Sequence, residues 1–259
     1  MPTPRSGAGD PARTLALLWR DPAAVPRHGP RQGLTVDAVV VAATRLADDE
    51  GLEAVTMRRL ALALGVAAMT LYTYLPGKAE LLDLMLDAAY ARMSRTDTSG
   101  RPWRERLTKI ATENMVLFEA HPWVSAISTI RPPLGPGQMA KYEHELSALE
   151  GLGLDDVEMD ASLIHLLSFV QACARAAADR RAVERDSTMD EERWWAASAP
   201  LLARFVDVNA YPLAARVGSA AGAAHGSAYS PDHAFEFGLQ RVLDGLAALI
   251  ERRQARPGG

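Results

Sequence analysis

Cysteine is nearly absent: Cys173 stands alone in 259 residues. A single thiol closes no intrachain disulfide, and zinc ribbons or redox pairs built on CxxC are excluded. A reduced, intracellular and cytoplasmic setting fits that usage. Long hydrophobic runs are missing as well. The uncharged stretches 161–174 and 217–230 fall short of the roughly 20 apolar residues of a membrane span, and Leu15 to Trp19 is too brief for a secretory core. Neither a membrane partner nor an export signal is expected. Basic excess is lacking too, because 28 Lys+Arg face 32 Asp+Glu for a net charge of −4. That argues against coating nucleic acid with bulk charge, and leaves room for a small reading surface.

Runs of alternating β-branched residues do not occur, while Ala, Leu, Arg and Glu dominate, so the chain reads as all-α. With 48% hydrophobic and 23% charged residues it has enough apolar material for a core. Residues 1–30, rich in Pro and Gly, read as a flexible N-terminal arm with one short amphipathic turn around Leu15, Leu18 and Trp19. Thr35 then stands where an N-cap belongs, Val36, Val39, Val40, Ala43, Leu46 and Ala47 recur at helical spacing, and Gly51 is a stop. Short helices follow at about 56–63 and 67–74, then one from Lys78 to about Met93. Beyond Gly100 longer helices are expected near 103–120, 138–151, 158–185, 190–207 and 233–253, with a short one near 123–130. RPPLGPG at 131–137 reads as a stiff loop and 209–232 as a loose Gly/Ala/Ser loop.

The informative segment is VTMRRLALALGVAAMTLYTYLPGK, residues 55–78. Two helices joined through Gly65, with Ala61 small where they cross, describe a helix-turn-helix. Leu71 and Leu75 face inward, which leaves Met69, Thr70, Tyr72 and Thr73 for a DNA groove. Thr56 and Lys78, each at the start of a helix, are placed to grip phosphates. Together with Gly33-Leu34-Thr35, Gly51, Val66, Thr70-Leu71-Tyr72, Tyr74 and Gly77-Lys78, these residues resemble the DNA-binding domain of the TetR family of bacterial transcriptional regulators over 31 to about 93. HPW at 121–123, RPPLGP at 131–136, the Trp194-Trp195 pair and FEFGLQRVLDGLAALI at 235–250 resemble its tetracycline-repressor branch.

The resemblance implies a reading head over 31–95, a helical ligand-binding and dimerisation domain over 96–254, and a homodimer released from a palindromic operator by a small molecule. It puts Arg58, Ala68, Met69 and Tyr72 at base edges, and Thr56, Thr70, Tyr74 and Lys78 on the backbone. Ala68 and Met69 depart from the polar residues frequent there and offer only apolar contacts, so guanine readout falls to Arg58. Residues 31–78 hold five basic and five acidic side chains, so binding must rest on their placement. Arg27 and Arg31 could add contacts from the arm.

In the larger domain, polar and aromatic residues set in apolar helix faces are the ligand candidates: Asn114, Phe118, His121, Trp123, Tyr142, His165, Gln171, Trp194 and Trp195. They suit a largely apolar effector; neither a cofactor nor a metal is expected. The helices near 158–185, apolar on all sides, and 233–253, with Gly238 and Gly245 seven apart, are the expected dimer surfaces. An enzyme is not expected, since no nucleophile elbow, Walker loop, HExxH or nucleotide-binding glycine motif occurs. Glu143-His144-Glu145 reads as a solvated face. The alternative is a helical small-molecule-binding or scaffold protein with a non-functional helix-turn-helix.

Overall fold

The computed structural model describes residues 4–22, 34–187, 189–227 and 229–255. Arg27 and Arg31 lie outside them. Among the described residues there are twelve α-helices and no strand, and 71% of the structure is helical.

The chain opens with α1 (Pro11–Leu18), then α2 (Val36–Glu50), a 3-10 turn at Leu52–Ala54, α3 (Met57–Ala63), α4 (Ala68–Tyr72) and α5 (Lys78–Arg92). Thr35 and Thr56 cap α2 and α3 by accepting the amides of Ala38 and Arg59. Gly51 and Gly65 adopt φ of 84° and 64°, the left-handed backbone that stops a helix without a Cβ clash. Buried Leu60, Ala61, Leu71 and Leu75 tie α3 and α4 to Val39, Val40 and Ala43 of α2. These short helices hold together through that shared core.

The second half contains α6 (Trp103–Ala120), α7 (Pro122–Ser125), α8 (Pro136–Ser147), α9 (Asp156–Asp186), α10 (Glu191–Phe205), α11 (Pro212–His225) and α12 (Pro231–Gln254). α9 lies among α6, α7 and α12, while α8 packs along α5. α9 starts in a capping box formed by Asp155 and Glu158. Both carboxylates also bind Arg253 near the end of α12, so the two helices run antiparallel. One 18-residue window of α9 reaches a mean hydropathy of 1.3, enough by length and composition to cross a membrane; here it is the central packing helix of its half.

Three expectations need correction. Residues 4–22 do not form a mobile arm: α1 buries Thr14, Leu17 and Leu18 against α5. The apolar turn seen in the sequence is a docked helix. The loose loop over 209–232 contains α11, because Pro212 at its start and a run of alanines favour helix. Its Gly222 is required by packing, since a Cβ there would come within 2.5 Å of the Trp195 ring. Nor is α9 buried all round. Ile164, His165, Ser168 and Ala172 remain exposed along one side.

Candidate functional site

The helix-turn-helix presents α4 outward. Met69 is 74% and Tyr72 44% exposed, and Arg58, Thr73 and Lys78 are exposed beside them. Ala68 and Thr70, on the same helix, are half-buried. Thr56 is exposed, its hydroxyl engaged as the cap of α3. Lys78 opens α5 behind Gly77, which brings no side chain to the helix start. The first amides of α5 are left without a side-chain cap, and the Lys78 ammonium donates to the Leu52 carbonyl at 3.4 Å. Arg59 is neutralised by Glu50 at 2.5 Å, whereas Arg58 has no ion-pair partner among the described residues. Arg58 is therefore an exposed guanidinium whose charge no carboxylate of the described residues offsets. Tyr74 is a correction: it is only 4% exposed, and its hydroxyl lies buried without a hydrogen-bond partner. A side chain so enclosed gives no phosphate contact.

The other half holds a cavity of about 940 Å³, open to solvent on one side, between α8, α9 and the segment 126–134. Ile127, Ile130, Leu134, Leu163 and Leu167 form its apolar wall. A polar cluster forms one side. Buried Lys141 donates to Glu145 at 2.6 Å, and Asn114 donates to the same carboxylate oxygen at 2.6 Å. The Lys141 ammonium also lies 5.4 Å from the centre of the Tyr90 ring. Burial first, then the charges of Glu145 and Asp87, push the Tyr90 phenol far up, so it stays protonated. Tyr142 donates to Asp160 at 2.8 Å, which raises its pKa chiefly through that bond. Gln171 donates to the Ser125 carbonyl at 2.9 Å.

Of the nine ligand candidates, only Tyr142 and Gln171 line this cavity. Asn114 stands one bond behind it through Glu145, and Phe118 is buried in the core. His121 and Trp123 instead meet Asp48 at the end of α2, at 2.8 and 2.7 Å, and so join the two halves. His165 is exposed rather than set in the core. Trp195 packs on Gly222, while Trp194 is half exposed outside the cavity. The Glu143-His144-Glu145 triplet is not a solvated face: His144 meets Glu113 at 2.8 Å and Glu145 is buried. Sequence reasoning missed Lys141, Glu145 and Tyr90. The one available signal was the i,i+4 spacing of Lys141 and Glu145, common on exposed helices and silent about burial.

The two halves meet at α5. Asp87 accepts the Gln138 amide at 2.8 Å, so a carboxylate of α5 sits on the first turn of α8, beside the cavity wall. An exposed reading helix is thus one helix away from an apolar cavity with a charged floor.

Comparison with known proteins gives this arrangement its place. A model described as bacterial regulatory proteins, tetR family, matches residues 39–85, and one described as tetracyclin repressor-like, C-terminal domain, matches 97–250. The chain belongs to the TetR family of bacterial transcriptional regulators. It is 39% identical over 254 residues to the HTH-type transcriptional repressor DrrR1 of Streptomyces coeruleorubidus, covering 97% of this chain and 91% of that one. Among solved TetR-family structures, Streptomyces coelicolor ActR in complex with actinorhodin aligns with a TM-score of 0.71 at 28% identity, over 84% of this chain and 97% of that chain. BioQ with its natural double-stranded DNA operator aligns at 0.56 and 25% identity, over 83% and 99%. This TetR-family chain is a ligand-responsive DNA-binding repressor and not an enzyme.

Proposed function

We propose that the chain binds a palindromic operator in the cytoplasm as a homodimer, represses the promoter it covers, and is released when a largely apolar effector fills the 940 Å³ cavity. Residues 31–95 form the reading head and 96–254 the effector and dimerisation half. The observation that carries this reading is a single rigid helix, α5, whose start adjoins the exposed face of α4 and whose later turns bond α8 at the cavity. Arg58, Ala68, Met69 and Tyr72 meet base edges; Thr56, Thr70 and Lys78 hold phosphates. In ActR a ligand is bound and in BioQ an operator, and both support the same division here.

Dimerisation is supported by apolar surface that one chain leaves open. Leu201, Leu202 and Phe205 on α10, with Tyr211, Leu213 and Val217 beyond, are exposed, as is Phe237 on α12. Gly238 is used within the chain, where a Cβ would collide with Phe169, but Gly245 has nothing within 4 Å. A second copy of α12 could approach closely there.

Footprinting on the region upstream of the chain's own gene tests the reading. The expected result is a protected palindrome with half-sites about one or two helical turns apart. Arg58→Ala is expected to lower affinity by about 1–3 kcal/mol and to relax preference at one base pair in each half-site. No protected palindrome at moderate salt, with the dimer intact, returns the chain to the class of helical binding proteins.

A further inference from the structure

Residues 4–20 are fastened to both halves of the molecule, at both of their ends. At the front, the Ser6 amide donates to the Ser128 carbonyl at 3.1 Å and the Ser128 amide to the Pro4 carbonyl at 2.9 Å. The Ser6 hydroxyl donates to the Arg131 carbonyl at 2.5 Å. The next amide, Gly7, donates to the carboxylate of Asp83 on α5 at 3.0 Å, and Asp83 is wholly buried. At the rear, the Trp19 indole donates to the Leu134 carbonyl at 2.9 Å, and the Arg20 guanidinium meets Asp37 in the first turn of α2 at 2.5 Å. Between these ties lies α1, with Leu17 and Leu18 buried against α5.

Every tie to the second half lands on 128–134. The same segment supplies Ser128, Ile130 and Leu134 to the wall of the cavity. Ser128, Ile130 and Arg131 also line a second cavity together with Pro4 to Gly9. Every tie to the first half lands on α2 or α5; α5 packs on α2, α2 carries α3, and α3 carries α4.

We propose that residues 4–20 are a strap that carries displacement of the 127–134 cavity wall to α5 and α2, and through them to the reading helix. This rests on the reading of the cavity as the effector site. Hydrogen bonds are short and directional, so a wall moved by about 1 Å either drags the strap or breaks from it. Gly7 leaves no slack: its φ is +64°, and a Cβ would lie 2.7 Å from the Arg131 Cβ. An effector that displaces the wall shifts the ties to Asp83 and Asp37 together, and moves the reading head as a unit. Without the strap, the wall moves and the head is left to the α5–α8 contact alone.

The test uses the full chain and a duplex that the wild-type chain itself recovers from a random-sequence pool. Leu167→Trp adds bulk inside the cavity in place of an effector. Gly7→Val releases the front of the strap through backbone strain and the Arg131 contact, and Arg20→Ala cuts the rear tie without strain. Leu167→Trp is expected to weaken duplex binding about tenfold in the otherwise wild-type chain, and less than about twofold in either strap variant. Equal weakening in all backgrounds, or none in any, overturns the strap. Hydrogen exchange of the DNA-free chain is the second measurement. Gly7→Val is expected to raise exchange at the Ser128 amide and along 81–87 of α5 by about tenfold or more, while α9 and α12 stay protected. Unchanged exchange at either place also overturns it. A wild-type chain that recovers no duplex counts against the regulator reading, and the exchange result then decides the strap alone.

Discussion

Gly137→Ala separates two effects of opposite sign. Gly137 lies in the first turn of α8, where helix propensity favours alanine by up to about 1 kcal/mol. Tertiary packing opposes the change. A Cβ at Gly137 would fall well inside 3.0 Å of the Asp87 carbonyl oxygen and 2.9 Å from the Ala91 amide nitrogen, both backbone atoms of α5. Ordinary contact begins near 3.4 Å, so α8 and α5 must part by at least 0.5 Å at Ala91 and by more at Asp87. A gap of that size forfeits a quarter to a half of the dispersion between facing atoms. It also stretches the 2.8 Å bond from Gln138 to Asp87. Overpacking of this kind costs about 1–3 kcal/mol, and here the obstacle is backbone that no rotamer change can clear. The net expectation is a destabilisation of about 2 kcal/mol or more. Gly135→Ala is the internal comparison, because the nearest atoms to its Cβ belong to the Asp87 carboxylate, a side chain that can turn at the cost of its bond to Gln138 rather than fixed backbone. Urea unfolding at one protein concentration, followed by circular dichroism, reads both variants. If Gly137→Ala unfolds at the same or higher urea than the wild type, or if Gly135→Ala is the more destabilised of the two, then α5 and α8 are not in the close contact argued for signal transfer.

Other outcomes follow from the same packing and charges. Lys78→Ala should weaken duplex binding evenly across sequences and lower the salt slope of the logarithm of affinity by about 1 for the phosphate it no longer grips, read by anisotropy titrations at several salt concentrations. Glu145→Ala strips the buried Lys141 of its carboxylate and should cost about 3–5 kcal/mol in urea unfolding, whereas replacing both with leucine and methionine should recover much of that stability. Burial is the largest cause that lifts the Asp83 pKa above 3.8, so its ionised form is less favourable in the folded chain than in the unfolded one. Its contribution to stability therefore worsens as pH rises from 3.8 through the raised folded value; Asp83→Asn should gain on the wild type at pH 7, and that advantage should shrink as pH falls toward 4. Gly245→Trp, at a position where a Cβ has nothing within 4 Å inside one chain, should raise the dimer dissociation constant by about tenfold or more in sedimentation equilibrium if α12 pairs across the two-fold axis.

Signals confined to a few neighbouring residues carried the reading head. Thr35 and Thr56 before apolar repeats, and Gly51 and Gly65 after them, set the ends of α2 and α3, because caps and stops are satisfied within one turn. The outward face of α4 followed from the four-residue spacing of Leu71 and Leu75. Tyr74 misled, since whether an aromatic next to that face points in or out depends on how α4 seats on the core. The arm misled in a similar way. Its prolines and glycines look like a tether, yet Ser6, Gly7 and Trp19 find partners 76 to 125 residues away, beyond the reach of any local pattern.

The cavity was the least legible part. Glu143-His144-Glu145 read as a solvated face, and His121 and Trp123 as pocket residues; instead Glu145 pairs with Lys141 at the floor of the cavity, while His121 and Trp123 pin Asp48. Hydrophobic period, caps and stops are properties of one helix and its neighbours in the chain, so helical class and the reading head were contained in the sequence. Which side of each helix encloses empty space, and which buried charge faces it, depends on the approach of α8 and α9 to the 126–134 segment. Those distances exist only after the whole core has closed.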